Sequence, residues 1–142
     1  MLVVDTSVAV KWVIPESGTG LEAGTDAALA MLPSALIAPD CIAAEFANAL
    51  FKKVVAAEIS EEQAIASIRI LPDIVTMLPA RALIEPAIKL AFDLRRPVHD
   101  CLFLALAMEQ RAHLVTADAK FVKRCRASGQ KWPVVLLGEP LP

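Results

Sequence analysis

The sequence has few of the residues that zinc sites and nucleophilic hydrolases require. It contains two histidines and three cysteines in 142 residues. His99 and His113 do not form a His-x-x-x-His pair, and the dispersed cysteines form no Cys-x-x-Cys pair, so zinc lacks its usual ligand spacing. Ser7 has no histidine at a spacing that is diagnostic of a catalytic triad. Zinc chemistry and serine hydrolysis therefore find no support.

Long apolar runs and glycine-rich loops are also missing. The acid-free stretch Ala27–Pro39 is shorter than the roughly twenty residues of a membrane span, and it contains Pro33. Asp5 interrupts the first apolar run and no basic region precedes it, so we expect neither a signal peptide nor a membrane partner. Gly18-Thr19-Gly20 lacks the Lys-Ser or Lys-Thr that completes a phosphate-binding loop. Dispersed cysteines suit reduced thiols, and we expect a cytoplasmic protein.

Apolar residues, by contrast, are abundant. They make up 56% of the chain against 21% charged residues. This is more apolar than a typical soluble domain and argues against disorder. The surplus indicates wide helix burial or a surface reserved for a protein partner. The net charge of −2 argues against a general nucleic-acid coat, which would be basic. It still allows an enzyme that holds a polyanion through metal ions.

The order of apolar runs predicts one α/β domain over residues 1–142. Five predicted strands alternate with helices, which indicates a mostly parallel sheet with helices on both faces. The strands are Met1–Val4, Ala35–Ala38, Ile74–Leu78, His113–Thr116 and Pro133–Leu137. The helices include Val8–Ile14, Asp26–Met31, Cys41–Ala57, Ser60–Pro72, Leu83–Leu94 and Ala119–Ala127, with Pro15–Gly24 as a loop. A further helix containing Asp100 is apolar on all sides, which is typical of a buried helix.

Four acids occupy positions that suggest a shared site. Asp5 and Asp118 each follow a predicted strand, at the sheet edge where open α/β proteins bind ligands. Glu45 and Asp100 lie near the starts of helices that can point to the same edge. If the four converge, their repulsion requires a counter-cation. Mg²⁺ or Mn²⁺ answers that need and can activate water at a phosphodiester.

Other interpretations stay open for the same residues. Asp5 or Ser7 could simply cap the first helix, with Ser7 the favoured cap, and Glu45 alone could be a solvated helix residue. On that view the chain is a non-catalytic metal-binding α/β module. A phosphatase-like phosphoryl-transfer domain is the nearest enzyme alternative, but the dehalogenase type needs a second Asp where Ser7 stands. Candidates for phosphate contacts are Lys11, Lys52, Arg95 and Arg96.

Four segments resemble a known family. VVDTSVAVKW, PDCIAAEFANAL, VHDCLFLALA and LVTADAKF occur in this order along the chain. Together they resemble PIN-domain ribonucleases, and within that group the chain is most similar to the VapC toxins of toxin–antitoxin pairs. The resemblance covers essentially the whole chain. It implies a three-layer α/β/α sandwich, Mg²⁺- or Mn²⁺-dependent cleavage of RNA, a homodimer, and a cognate antitoxin that fills the groove.

The resemblance also implies roles for individual residues. Four acids would be catalytic, three of these would bind the metal, and three polar residues would support them. The catalytic acids are Asp5, Glu45, Asp100 and Asp118, the metal ligands are Asp5, Asp100 and Asp118, and the supporting residues are Ser7, Asn48 and Thr116.

Overall fold

The computed structural model describes residues 1–13 and 21–142, with the side chains of residues 21–23 left aside. This part of the chain contains five strands and seven α-helices. The strands are β1 (Leu2–Val4), β2 (Leu36–Pro39), β3 (Val75–Leu78), β4 (His113–Thr116) and β5 (Val134–Leu136). The helices are α1 (Thr6–Val13), α2 (Leu21–Ala30), α3 (Ile42–Val55), α4 (Glu61–Ile74), α5 (Ile84–Leu94), α6 (Val98–Glu109) and α7 (Ala119–Ala127).

The five strands form one parallel sheet in the order β3-β2-β1-β4-β5. With the helices on both of its faces, this gives the three-layer α/β/α fold that the sequence predicts. The central strand β1 pairs with β2 on one side and with β4 on the other, where Val4 lies opposite Val115. After β1, the chain adds β2 and β3 on one side of this strand and then β4 and β5 on the other. The boundary between β1 and β4 is therefore the topological switch point, where such sheets bind ligands.

Helix α6 lies at the centre of the hydrophobic core. All residues from Cys101 to Ala107 are buried, and the helix contacts β1, β2 and β4 on one side and α5 on the other. Because the helix is enclosed, it needs apolar residues around its whole circumference, as its sequence predicts. The first turn emerges from the core and carries Asp100.

The beginning of α1 corrects the predicted cap. The helix begins at Thr6 instead of Val8, and Oδ1 of Asp5 accepts a hydrogen bond of 3.3 Å from the backbone N–H of Val8. Asp5 thus caps the helix, and the prediction that Ser7 does so is wrong. The Ser7 hydroxyl is instead hydrogen-bonded to residues of another part of the chain, described below.

Other helix boundaries also differ from the prediction by a few residues. Helix α2 begins at Leu21, so the last residues of the predicted loop Pro15–Gly24 are helical, while residues 14–20 lie outside the described part. Helix α4 continues through Pro72 to Ile74 instead of ending there. Its predicted capping box is confirmed, because Ser60 and Gln63 exchange hydrogen bonds of 3.1 and 2.8 Å.

Among the helices of residues 1–13 and 21–142, none combines the length and apolar character that crossing a membrane requires.

Candidate active site

The carboxyl ends of β1 and β4 bring Asp5 and Asp118 to the same edge of the sheet. Asp5 directly follows β1, and Asp118 lies two residues beyond the end of β4 at Thr116. Because these strands are parallel neighbours, their ends lie side by side. The predicted convergence of the two strand-end acids therefore follows from the sheet order.

Two hydroxyl groups connect Asp5 to the segment after β4. Ser7 Oγ donates to Oδ1 of Asp5 at 2.5 Å and accepts from the N–H of Ala117 at 2.9 Å. Thr116 Oγ1 donates to Oδ2 of Asp5 and accepts from the N–H of Asp118 at 3.1 Å. An N–H can only donate, so each hydroxyl oxygen acts as its acceptor and directs its own proton to the carboxylate. The predicted supporting residues Ser7 and Thr116 thus hold both oxygens of Asp5.

The environment of Asp5 places its ionisation close to neutral pH. Burial raises the pKa of Asp5 from 3.8 to about 6, because the charged form is separated from water. Hydrogen bonds from Ser7, Thr116 and the N–H of Val8 oppose this shift, and the negative charge of Asp100 adds to it. A cation placed beside this carboxylate would therefore relieve an unfavourable charge.

Glu45 is oriented by a residue of α1. It lies in the first turn of α3, and its Oε2 accepts a hydrogen bond of 2.8 Å from the Thr6 hydroxyl. Burial raises the pKa of Glu45, the bond from Thr6 and the nearby His99 lower it, and the charge of Asp100 raises it further. Glu45 is therefore a partly buried acid that lies close enough to Asp100 for the two charges to interact.

Arg96 links the other two acids. Its Nη2 lies 3.1 Å from Oδ2 of Asp100 and 3.1 Å from Oδ2 of Asp118. Asp118 also caps α7, because its Oδ1 accepts from the N–H of Phe121 at 3.0 Å. Nε2 of His99 lies 3.5 Å from Oδ1 of Asp100. The cap uses one of the two oxygens of Asp118, and the other oxygen contacts Arg96.

All four predicted acids line one cleft of about 240 Å³. The lining residues are Asp5, Thr6, Ser7, Glu45, Asn48, His99, Asp100, Phe103 and Asp118. Asn48 is exposed at the rim, and Thr116, which is fully buried, lies behind Asp5. The structure brings together every site residue that the sequence predicts.

The sequence interpretation missed several neighbours of the acids. His99 and Phe103 line the cleft, although the sequence interpretation gave them no role in the site. Arg96 pairs with the acids, although we expected it to contact phosphate. It lies in the short connection between α5 and α6, where helical spacing gives no signal for a pair with Asp100. The other three candidates for phosphate contacts, Lys11, Lys52 and Arg95, are not among the residues that line this cleft.

A larger cavity of about 590 Å³ lies at the other edge of the sheet. It is bounded by residues near the amino ends of β4 and β5, including His113, Cys125, Trp132 and Val134. It has no carboxylate in its lining. By volume alone, this cavity would be the better candidate for the active site. The smaller cleft is favoured because it contains the four acids and lies at the topological switch point.

The chemical character of the cleft fits a hard divalent cation. Carboxylate and hydroxyl oxygens are the donors that Mg²⁺ and Mn²⁺ prefer, and the cleft supplies four carboxylates. Within the described residues, however, no three His, Cys, Asp or Glu side chains form a ready-made metal site. Asp5 is hydrogen-bonded to Ser7 and Thr116, and Arg96 stands between Asp100 and Asp118. The carboxylate oxygens are therefore suitable metal ligands in type and location. Asp100 and Asp118 could bind an ion only after their ion pairs with Arg96 break.

Comparison with known families agrees with this fold. The family model described as "PIN domain" matches residues 2–127, a range that includes all four acids. The comparison with curated proteins gives no match. PIN domains are generally metal-dependent nucleases. Because the match extends over most of the sequence, the chain belongs to the PIN-domain family.

Proposed function

We propose that this PIN-domain protein is a Mg²⁺- or Mn²⁺-dependent endoribonuclease whose catalytic residues are Asp5, Glu45, Asp100 and Asp118. The observation that carries the proposal is the arrangement of these carboxylates around one cleft at the switch point of the sheet. Four acids in one small cleft repel each other unless a cation lies among them. A polyanionic substrate would meet the same repulsion, so a cation serves both needs.

The division of roles follows from what each carboxylate touches. Asp5, Asp100 and Asp118 would hold the divalent ion, which when bound neutralises phosphate charge and lowers the pKa of a water molecule. Ser7 and Thr116 orient Asp5 through its two oxygens. Thr6 orients Glu45 through Oε2, so that the other oxygen, Oε1, would accept a proton from the attacking water. Asn48, at the rim of the cleft, would contact the substrate.

The proposal includes a biological setting. The resemblance to VapC toxins supports a toxin that is held inactive by a cognate antitoxin and that forms a homodimer. Exposed apolar side chains on α3 and α4, among them Phe51, Val55 and Ile65, support contacts with protein partners. Three free cysteines support a cytoplasmic location. Residues 1–142 would form a single nuclease domain, since β5 extends the same sheet beyond the family match.

Cleavage of RNA by the purified protein tests the proposal. Structured and unstructured RNAs would be incubated with Mg²⁺, with Mn²⁺ or with EDTA. We expect cleavage that needs the ion and that is lost in Asp100→Asn, a variant chosen because Asp100 contacts Arg96 and His99 without tying β1 to β4.

Asp40→Asn is the matched control. Asp40 follows β2 at the same edge of the sheet, its Oδ1 accepts from the N–H of Ala80 at 3.1 Å, and it does not line the cleft. The control removes one negative charge at a neighbouring strand end and should cleave normally. Equal cleavage by Asp100→Asn and Asp40→Asn would overturn the assignment. Metal binding without cleavage of any RNA would favour the non-catalytic module.

Growth arrest tests the toxin assignment separately. Expression of the protein without a partner should stop growth of the host cells, whereas Asp100→Asn should not. Normal growth with the active nuclease present would leave an endoribonuclease that is not a toxin.

A further inference from the structure

Arg96 occupies the position of a point cation between two acids. The same nitrogen, Nη2, approaches Oδ2 of Asp100 and Oδ2 of Asp118, each at 3.1 Å. A structural Arg–carboxylate pair more often uses two nitrogens against two oxygens of one carboxylate. Here one charged nitrogen is shared between two carboxylates that are also proposed to hold the metal ion.

The position of Arg96 is built by the surrounding fold. Helix α5 ends at Leu94, and the next residue, Arg95, has a left-handed backbone (φ 54°) that redirects the chain towards the acids. The carbonyl of Leu94 accepts a hydrogen bond of 2.7 Å from Nε of Arg124, so the end of α5 is tied to α7. The guanidinium of Arg96 lies 5.8 Å from the ring centroid of Phe121, within cation–π range.

The hydrogen bonding of Arg96 is nevertheless incomplete. Its Nε is buried and has no hydrogen-bond partner among the described residues. A guanidinium offers five N–H donors, and a buried donor without an acceptor is costly. The two hydrogen bonds of Nη2 hold the guanidinium between the acids, whereas its buried Nε adds a free-energy cost to this position.

We infer that Arg96 is an internal counter-cation, which neutralises Asp100 and Asp118 in the metal-free protein and competes with the divalent ion for them. The inference rests on the proposed function, because it takes these acids as metal ligands. It makes Arg96 a positioning residue: the side chain holds the two acids in place while no ion is present, and it must leave them when the ion binds.

Binding of Mn²⁺ measured by titration calorimetry tests this inference independently of cleavage. Arg96→Met removes the charge and keeps an unbranched side chain over Phe121, so Mn²⁺ should bind at least about fivefold more tightly as a competing cation is lost. Arg96→Lys keeps the charge and should bind Mn²⁺ as the natural protein does. Arg95→Met removes the same charge from the neighbouring exposed position and should change the affinity less than about twofold, because exposed charges are screened.

Thermal unfolding gives the second measurement. In EDTA, Arg96→Met should unfold at a lower temperature than Arg95→Met, since Asp100 and Asp118 then repel each other without a cation. Added Mn²⁺ should stabilise Arg96→Met more than the natural protein, in line with its tighter binding.

The outcomes separate this inference from the proposed function. If Arg96→Met binds Mn²⁺ no more tightly than Arg95→Met while the natural protein still cleaves RNA, only the role of Arg96 is overturned. If neither the natural protein nor any variant binds Mn²⁺, the metal site fails and the inference fails with it.

Discussion

The hydroxyl of Thr6 donates a hydrogen bond of 2.8 Å to Oε2 of Glu45, which lies 39 residues further along the chain. The bond joins the first residue of α1 to the first turn of α3. Burial and the bond have opposite effects on Glu45, since burial raises its pKa and the bond lowers it. Thr6 therefore helps to keep Glu45 ionised within the cleft.

Replacing Thr6 tests this role. Thr6→Val keeps the shape of the side chain and removes the donor, so we expect a loss of about 1 kcal/mol in the free energy of unfolding. The pKa of Glu45 should also rise further, which would shift the acid limb of the pH–rate profile for RNA cleavage to higher pH. Thr6→Ser keeps the hydroxyl and serves as the control. Identical stabilities and pH profiles for the two variants would contradict the role.

Substitutions of Asp118 should separate its two uses. Asp118→Asn retains an oxygen that can accept from the N–H of Phe121, and Asn is as good a helix cap as Asp, so stability should change little. The variant should nonetheless lose most metal-dependent cleavage, because its charge next to Arg96 and the proposed ion is gone. Asp118→Ala should lose cleavage and, in addition, about 1 kcal/mol of stability with the cap. Denaturant unfolding and RNA cleavage measure the two effects, and unchanged turnover in Asp118→Asn would refute its catalytic assignment.

The pKa of Asp5 predicts how stability depends on pH. Burial raises this pKa from 3.8 to about 6, so the folded state binds a proton more tightly than the unfolded chain. The charged carboxylate therefore costs stability above about pH 6, by up to about 3 kcal/mol, and the cost disappears as the pH falls to about 4. In EDTA, the natural protein should lose stability relative to Asp5→Asn as the pH rises from about 4 to about 6, because the Asn side chain does not titrate. A difference in unfolding free energy that stays constant across this range would contradict the prediction.

The cysteine thiols should be unreactive in the folded protein. Burial raises the pKa values of Cys101 and Cys125 to about 11, and burial together with the charges of Glu45 and Asp40 does the same for Cys41. Because the thiolate is the reactive form, alkylation at pH 8 should be slow at Cys41 and slower still at the two fully buried positions. Mass spectrometry after treatment with iodoacetamide measures this, with protein in guanidinium chloride as the control. Rapid alkylation of Cys101 in the native protein would show that α6 opens readily.

Much of the architecture was predictable because it depends on local patterns. Apolar runs followed by turn residues marked all five strands, and the all-round apolarity of the Asp100 helix indicated burial at the centre of the fold. Asp5 and Asp118 could be placed at one sheet edge for a simple reason: each follows a strand, and parallel strands end on the same side.

The contacts within the site depend on residues far apart in the chain. Ser7 was expected to cap α1, but the N–H of Ala117, 110 residues away, makes its hydroxyl a bridge to Asp5 instead. A serine near the start of a helix can either cap the helix or hydrogen-bond to a distant group. The local sequence does not show which of the two bonds forms.

The sequence by itself determined the alternation of strands and helices and the identity of the four acids. Only the tertiary structure decided which groups contact those acids: the hydroxyls of Ser7 and Thr116 on Asp5, the hydroxyl of Thr6 on Glu45, and Arg96 between Asp100 and Asp118. The physical reason is that hydrophobic periodicity acts over a few neighbouring residues. Hydrogen bonds and ion pairs require distances of about 3 Å, and only the packing of strands and helices sets those distances.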